Sequence, residues 1–584
     1  MREKYRMWDN ILGWTAFVIA AVTYLMTLEP TLSLWDCGEF IASAYKLEVG
    51  HPPGAPLFMI VARFFANFAG GDVSKVAMMV NAMSGLASAL TILFLFWTIT
   101  HLARRIFLRQ DEDYTAGRVI AVLGAGITGA LAYAFSDTFW FSAVEGEVYA
   151  SSSLFTAVVF WAILRWEDVA DEPHADRWII LIAFMMGLSI GVHLLNLLAL
   201  PAIVFVWYFK KYPFSWKGFA VSIAVSLILL VLIMYGIIPG IFTVTSRFDL
   251  FLVNTLSMPL NSGMYLHLIL LTAALILSVW YTFSHPDGRR GFVFTALTLL
   301  LSGIWLLTGS LLLDIVILAG LVWAAWYLTL NNRVALNSVM TAVLVILIGY
   351  SSFATIVIRS AAKPPMNEND PSNPFALLYY LNREQYGQRP LFYGPYYNAP
   401  VTDYEKGKPK YNPVDGEYKI TSRETIRKYD ERFMTLLPRM WSDQDEHAKV
   451  YEEYVGKKGK PVKVNDPQTG EPTTLRVPTF GQNLRFLVEY QVGFMYFRYF
   501  MWNFSGRQND VQSYGGPVNG NWITGLNFLD APRIGTVSGM PDDIRNDPSR
   551  NAYYLLPFLL GFAGFLWHFN RDVRNWWIVT LLFI

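Results

Sequence analysis

The sequence has one cysteine, Cys37, so an intrachain disulfide is excluded, and so is a zinc site built on cysteines. Charge is scarce too. Asp, Glu, Lys and Arg make up 16% of the 584 residues, where soluble domains carry about a quarter. Basic and acidic residues balance to a net charge of +1, so no basic surface for nucleic acid is indicated. Neither a GxxxxGK(S/T) loop nor an HExxH helix occurs. The energy for any group transfer then comes with the substrate, as in an activated lipid phosphate. No repeat of fixed period is visible.

What is abundant is apolar length. Hydrophobic residues make up 54% of the chain, gathered in runs long enough to cross a hydrocarbon core of roughly 30 Å as helices. The runs lie near 11–28, 76–103, 119–136, 149–165, 178–192, 194–209, 218–239, 264–283, 291–308, 311–330, 336–358 and 551–568. One more starts at Trp576 and is cut by the end of the sequence, which leads us to expect further protein beyond it. The first run has no small-residue cleavage site before Glu29, so it is expected to be a retained helix rather than a signal peptide. The stretch 178–209 is read as two spans reversing near His193 and Asn196.

Basic residues test this order. With Arg2, Lys4 and Arg6 cytoplasmic, alternate connections should be basic, and they are. Arg104, Arg105, Arg109 and Arg118 fall in one, Lys210, Lys211 and Lys217 in a later one, then Arg289 and Arg290, Arg333, and Arg571 and Arg574. Three connections then face outward: Glu29 to Lys75, Asp137 to Glu147, and Arg359 to about Asn551. The expected fold is an all-α polytopic membrane protein of about 12–13 transmembrane helices with a mixed α/β extracytoplasmic domain. Its parts are a membrane module over 1–358, an extracytoplasmic domain over 359–550 and C-terminal membrane helices over 551–584, the last truncated.

The candidate chemistry sits in those outward loops. Asp36 and Glu39 follow an exit from the membrane, beside Trp35 and Phe40. A carboxylate at a lipid–water boundary is partly desolvated, which raises its basicity and suits a general base. Acids near a helix end are also ordinary capping groups. Here His51-Pro52-Pro53-Gly54 follows in the same loop, a rigid turn leading into an amphipathic stretch, 55–69, expected along the membrane surface. The second loop brings Glu145, Glu147 and Tyr149 to the start of the next helix, and Trp140 lies within it. His193 stands in an apolar setting at an outward turn, where a histidine satisfied by a backbone carbonyl is the plainer reading. Arg247 is a candidate for a lipid phosphate, or an arginine snorkelling to the interface. Asp314 is an acid in an apolar run, functional or simply at a helix boundary. The segments 382–400, with Arg383, and 497–510 join arginine with aromatics, as phosphate and sugar binding would require and as packing on the membrane portion would too.

The runs WDCGEFIASAYKLEVGHPPGAPLF, VEGEVYASSSLF and GLSIGVHLLNLLALPA resemble a bacterial membrane family catalogued as a domain of unknown function. LLYYLNREQYGQRPLFYGPYYNAP and MWNFSGRQND are similar to its Bacteroidetes branch. That family is in turn similar to the C-type (GT-C) glycosyltransferases, and its animal relative is a protein O-mannosyltransferase using dolichyl-phosphate mannose. The resemblance implies that Asp36 fills the place of the first-loop catalytic aspartate, with Glu39 its partner and Glu147 the second-loop acid. Cys37 stands where a serine is expected.

The expected activity is inverting transfer of a hexose, mannose first, from a polyprenyl-phosphate carrier to Ser or Thr hydroxyls of exported proteins. Asp36 would be the base, and Arg247, then Arg383, the cation for the leaving phosphate. Glu147 and His51, with Glu145, Tyr149 and His193, would hold donor or acceptor, and Trp35 and Trp140 would wall the sugar. No cofactor is required, and paired carboxylates admit a divalent metal without implying one. The expected setting is the bacterial cytoplasmic membrane, with the site facing the periplasm. A transporter or lipid flippase, with acids near the midplane and often an internal repeat, and a non-catalytic scaffold for envelope assembly are the alternatives.

Overall fold

Long apolar runs in this chain fold as helices because a helix satisfies its own backbone polar groups where no water can. The computed structural model describes residues 1–284, 288–387, 389–457, 459–465 and 471–583. Its first helices are α1 (Arg2–Met26), α2 (Cys37–Lys46), α3 (Pro56–Ala66), α4 (Val76–Phe107), α5 (Ala116–Ala134), α6 (Asp137–Ala143), α7 (Val148–Val169), α8 (Asp176–Ile190) and α9 (Leu200–Lys211). Then come α10 (Trp216–Val231), α11 (Ile238–Leu256), α12 (Ser262–Ser284), α13 (Arg289–Ser302), α14 (Leu311–Asn331), α15 (Arg333–Tyr350), α16 (Ala354–Ala361) and α17 (Pro374–Leu381).

Nine helical stretches among the described residues are long and apolar enough to cross a membrane. The chain is thus a mostly helical polytopic membrane protein with a smaller sheet-bearing region, the class its composition implied. The higher expected count has a physical explanation. Several apolar runs fold as short helices, such as α8 with 15 residues and α13 with 14. At 1.5 Å per residue, such helices reach only about 20 Å. In contrast, the run starting at Trp216 continues through a π-helical turn to Leu256 as one stretch of 41 residues. The expected break near His193 is present: α8 ends at Ile190, and a 3-10 turn over Leu194–Ala199 leads into α9.

A GxGxxG string, Gly124–Gly129, lies inside α5 rather than in a strand-to-helix loop. A Cβ on Gly126 would fall 2.5 Å from Thr100 Cγ2, and one on Gly129 would fall 2.7 Å from Ile99 Cδ1. These glycines let α4 and α5 pack closely, as small residues do between membrane helices. They do not cradle a phosphate.

Two compact units divide the chain. The first holds Met1–Tyr386, Tyr411–Lys419 and Arg571–Ile584. At one end several basic residues meet acids: Arg2 reaches Asp111 at 3.4 Å, Arg104 reaches Asp168 at 2.8 Å and Lys210 reaches Asp171 at 2.8 Å. At the opposite end the Trp140 indole donates to Thr27 Oγ1 at 2.9 Å, and the Glu29 N–H donates to the Val144 carbonyl at 3.1 Å. Asp314 sits in the first turn of α14 and accepts from the Thr308 N–H and hydroxyl, both at 2.9 Å. It is a helix-start acid, the boundary reading.

The second unit holds Gly387–Lys410 and Ile420–Asn570. Short antiparallel ribbons build it, Tyr393–Pro395 with Met434–Leu436 and Lys460–Asn465 with Pro472–Val477. Phe433, Met440, Tyr451, Val455 and Phe486 form its core. Strands Val401–Val414 and Glu417–Tyr429 pair as a hairpin, and its tip, 411–419, belongs to the first unit. The first continuous stretch of the first unit ends at Tyr386. The final apolar stretch splits as well: most of Leu556–Arg571 lies in the second unit, while Val573–Phe583 lies in the first, its Trp577 ring centroid 4.9 Å from that of Phe219.

Candidate functional site

The first loop is shaped by α2 and by what holds it down. Trp35 has φ +63°, a left-handed conformation uncommon for a bulky residue, and its side chain is 81% exposed. Asp36 follows as the N-cap of α2; its carboxylate is exposed, makes no capping bond and is unspent among the described residues. One turn on, Glu39 Oε1 accepts from the His51 N–H at 2.6 Å and lies 2.9 Å from His51 Nδ1. The His51 ring packs edge-on against Phe40 at 5.4 Å. The bond to His51 holds Glu39 below the ordinary carboxylate range against its partial burial. His51 rises above its ordinary value through the same bond, with the charge of Asp36 contributing further. This is a half-buried ion pair with a free carboxylate nearby.

The second loop delivers two buried carboxylates to the same place. Glu145 Oε2 accepts from Ser33 Oγ at 2.6 Å and lies 3.6 Å from Cys37 Sγ, so the two loops are bonded side chain to side chain. Glu147 caps α7, accepting from the Val148 N–H at 2.8 Å. Only 6% of Glu147 is exposed, and burial pushes its carboxyl up to about 7; the Val148 N–H opposes the rise, while the charges of Asp36 and Glu145 add to it. Burial likewise raises Glu145 and takes the Cys37 thiol up to about 12. Gly146 between the glutamates lies against α4 and α2: a Cβ there would meet Asn81 Oδ1 at 2.9 Å and Ile41 Cγ1 at 3.1 Å.

A third group adjoins. The Tyr149 and His193 rings are 5.6 Å apart, and His193 Nδ1 accepts from the Leu195 N–H at 3.1 Å. Burial lowers His193, and the charge of Arg383 lowers it further. Arg383 is exposed, with its guanidinium 4.8 Å from the centre of the Tyr386 ring. Arg247 is exposed on α11 and pairs with no carboxylate among the described residues. Trp140 is committed to Thr27 and packs 6.5 Å from Tyr24 and 5.5 Å from Phe135, so it serves the α1–α5–α6 contact. Among the described residues, no group of three or more His, Cys, Asp or Glu side chains is disposed to hold a metal ion.

Several supporting residues had little or no signal in the sequence. Asn81, buried in α4, donates to the carbonyls of Glu29 at 2.6 Å and Thr31 at 3.0 Å. A lone amide in an apolar run is the signal that marks it. Tyr380 Oη donates to the Gly50 carbonyl at 2.6 Å, Arg359 Nε donates to Leu47 at 2.6 Å, and the Glu368 N–H donates to Val49 at 3.0 Å. The segment 359–386 therefore clamps the loop that carries Asp36, Glu39 and His51.

A membrane helix bundle with a cluster of carboxylates and a histidine where its loops meet defines the class. Residues 36–216 match the family model described as the protein O-mannosyl-transferase TMEM260 N-terminal domain, a match that begins at Asp36. Residues 387–488 match a family of unknown function (DUF8416), beginning where the second unit begins. Among curated proteins, the chain is 28% identical over 174 residues to the mouse (Mus musculus) protein named protein O-mannosyl-transferase TMEM260, covering 30% of this chain and 22% of that protein. It is 26% identical over 145 residues to the protein of that name from Dictyostelium discoideum, covering 25% of this chain and 16% of the other. The matched region thus spans about a fifth of these relatives' length. No solved structure matches the chain.

Proposed function

We propose that this protein is a GT-C-type glycosyltransferase that moves a hexose, mannose first, from a polyprenyl-phosphate carrier to Ser or Thr hydroxyls of exported proteins. Asp36 takes the acceptor proton as the hydroxyl oxygen bonds to the anomeric carbon. The bond from that carbon to the carrier phosphate breaks, and the phosphate leaves with the electron pair, inverting the sugar. The observation that carries this reading is the meeting of an unspent Asp36 with buried Glu147 and the Glu39–His51 pair, each within range of Asp36's charge.

Arg383 is the favoured cation for the leaving phosphate, because its charge acts on His193 beside Tyr149; Arg247 is second. Glu147 and His51 orient donor and acceptor, and exposed Trp35 offers a face to the sugar. The names of the two relatives support the choice of mannose and of protein as acceptor. The gathering of basic residues at the other end supports a periplasmic site in a bacterial inner membrane.

Mass spectrometry of exported proteins from cells carrying wild-type or Asp36→Asn protein tests the reading. Loss of the hexose modification with the variant present in the membrane at normal level is expected; retained modification overturns the assignment. A scaffold would tolerate this substitution, and so would a transporter whose acids lie at the midplane.

A further inference from the structure

Far from the carboxylates, at the basic end of the first unit, four arginines line one cleft of about 270 Å³. Arg2 comes from the start of α1, Arg104 and Arg105 from the last turns of α4, and Arg109 from just beyond it; Tyr114 and Asp168 complete the walls. A helix C-terminus favours nearby cations, and this accounts for two arginines on α4. It does not account for four converging on a cavity.

Their partners leave most of the donors over. Arg104 Nη2 donates to Asp168 at 2.8 Å. Arg105 pairs with Glu167 and stands 3.9 Å from Asp168. Asp168 is shared further with Arg165, also at 3.9 Å. Arg2 meets exposed Asp111 at 3.4 Å. Arg109 donates its Nε to the Arg105 carbonyl at 3.0 Å, and its side chain pairs with no carboxylate among the described residues. The cleft thus sets four guanidinium groups against three carboxylates, Asp111 and Asp168 in its lining and Glu167 behind Arg105. Each guanidinium has five N–H donors in a fork that matches phosphate oxygens.

Position selects the ligand. α1, α4, α5 and α7 are long and apolar enough to span, so their ends lie where hydrocarbon gives way to water. Basic pockets between membrane helices at such a level bind anionic headgroups. The volume falls just below the roughly 300–1,000 Å³ of drug-sized sites, which suits a headgroup.

We propose that this cleft binds the phosphate of an anionic phospholipid, of phosphatidylglycerol type, independently of the transfer reaction. The test uses the purified full chain in neutral detergent, titrated with dioctanoyl-phosphatidylglycerol, dioctanoyl-phosphatidylcholine and glycerol 3-phosphate and read by native mass spectrometry. Wild-type protein is expected to bind the anionic lipid at least ten-fold more tightly than the zwitterionic one. The Arg2→Gln/Arg109→Gln variant, which spares the contacts of Arg104 and Arg105 to α7, is expected to lose that preference with an unchanged melting temperature. Arg109→Glu alone, at an exposed position, gives the same loss where the double variant is not recovered. Equal binding of the two lipids, or an undiminished preference in the variants, overturns the site. Glycerol 3-phosphate binding as tightly as the lipid overturns the membrane as the source of the phosphate.

Discussion

Glu39 Oε1 bonds both the backbone N–H and the ring nitrogen of His51, twelve residues on, and so closes the first loop on itself. Each partner favours the charged form of the other, which sets the pH dependence of the pair. His51 is raised, so its contribution is fully present below about pH 6.5, the ordinary histidine value, and is lost as pH rises through the folded value. Glu39 is lowered, so its contribution is present above the ordinary carboxylate value and is lost as pH falls through the folded one. His51→Ala is expected to cost about 1–2 kcal/mol near pH 6, and less near pH 9. Melting curves of wild type and variant across this range check it.

Glu147 behaves in the opposite sense. Its carboxyl is raised to about 7, so the native state favours the protonated form and loses stability as pH climbs from the ordinary value towards 7. Glu147→Gln is expected to stabilise the protein at pH 8 by up to roughly 3 kcal/mol while reducing transfer. The wild-type rate should inflect near pH 7, and the variant's should not. Paired melting and pH–rate measurements decide it.

Replacing Arg383 with Ala should raise KM for the lipid-linked donor by about ten-fold or more, since a phosphate would lose a charge-assisted contact. Arg383→Lys should recover part of this, and Arg247→Ala should change KM little. Steady-state kinetics with a defined donor separates the two arginines.

Cys37 is buried, and burial takes its thiol up to about 12. Native protein should therefore resist alkylation at pH 8, because the thiolate is the reactive form, and denatured protein should label readily. Cys37→Ser should keep the contact to Glu145 and remain active. Intact-mass measurement after iodoacetamide treatment reads the first expectation.

Much of the site was legible because its side chains come in short, chemically marked loops. Asp36, Glu39 and His51 lie in one loop and Glu145 and Glu147 in another, and the alternation of basic connections required both at the same end. What escaped the sequence was long-range support. Nothing local to Tyr380 or Arg359 signals that each will bond a carbonyl of the first loop, because a carbonyl acceptor leaves no trace in residue type. Nor does anything local to Trp140 signal that its N–H bonds Thr27. Hydropathy registers apolar length without registering where a helix stops, so some of the expected runs fold as the shorter helices α8 and α13.

The clamp on the first loop also bears on biosynthesis. Arg359 and Tyr380 bond carbonyls 312 and 330 residues earlier in the chain. A ribosome delivers Asp36 early and these partners only after α15 has emerged, so the loop waits, incompletely fastened, through most of translation. Maturation of the reaction centre is thus a late event, and chains released before Tyr380 would carry every acidic residue of the cluster without the frame that aligns them.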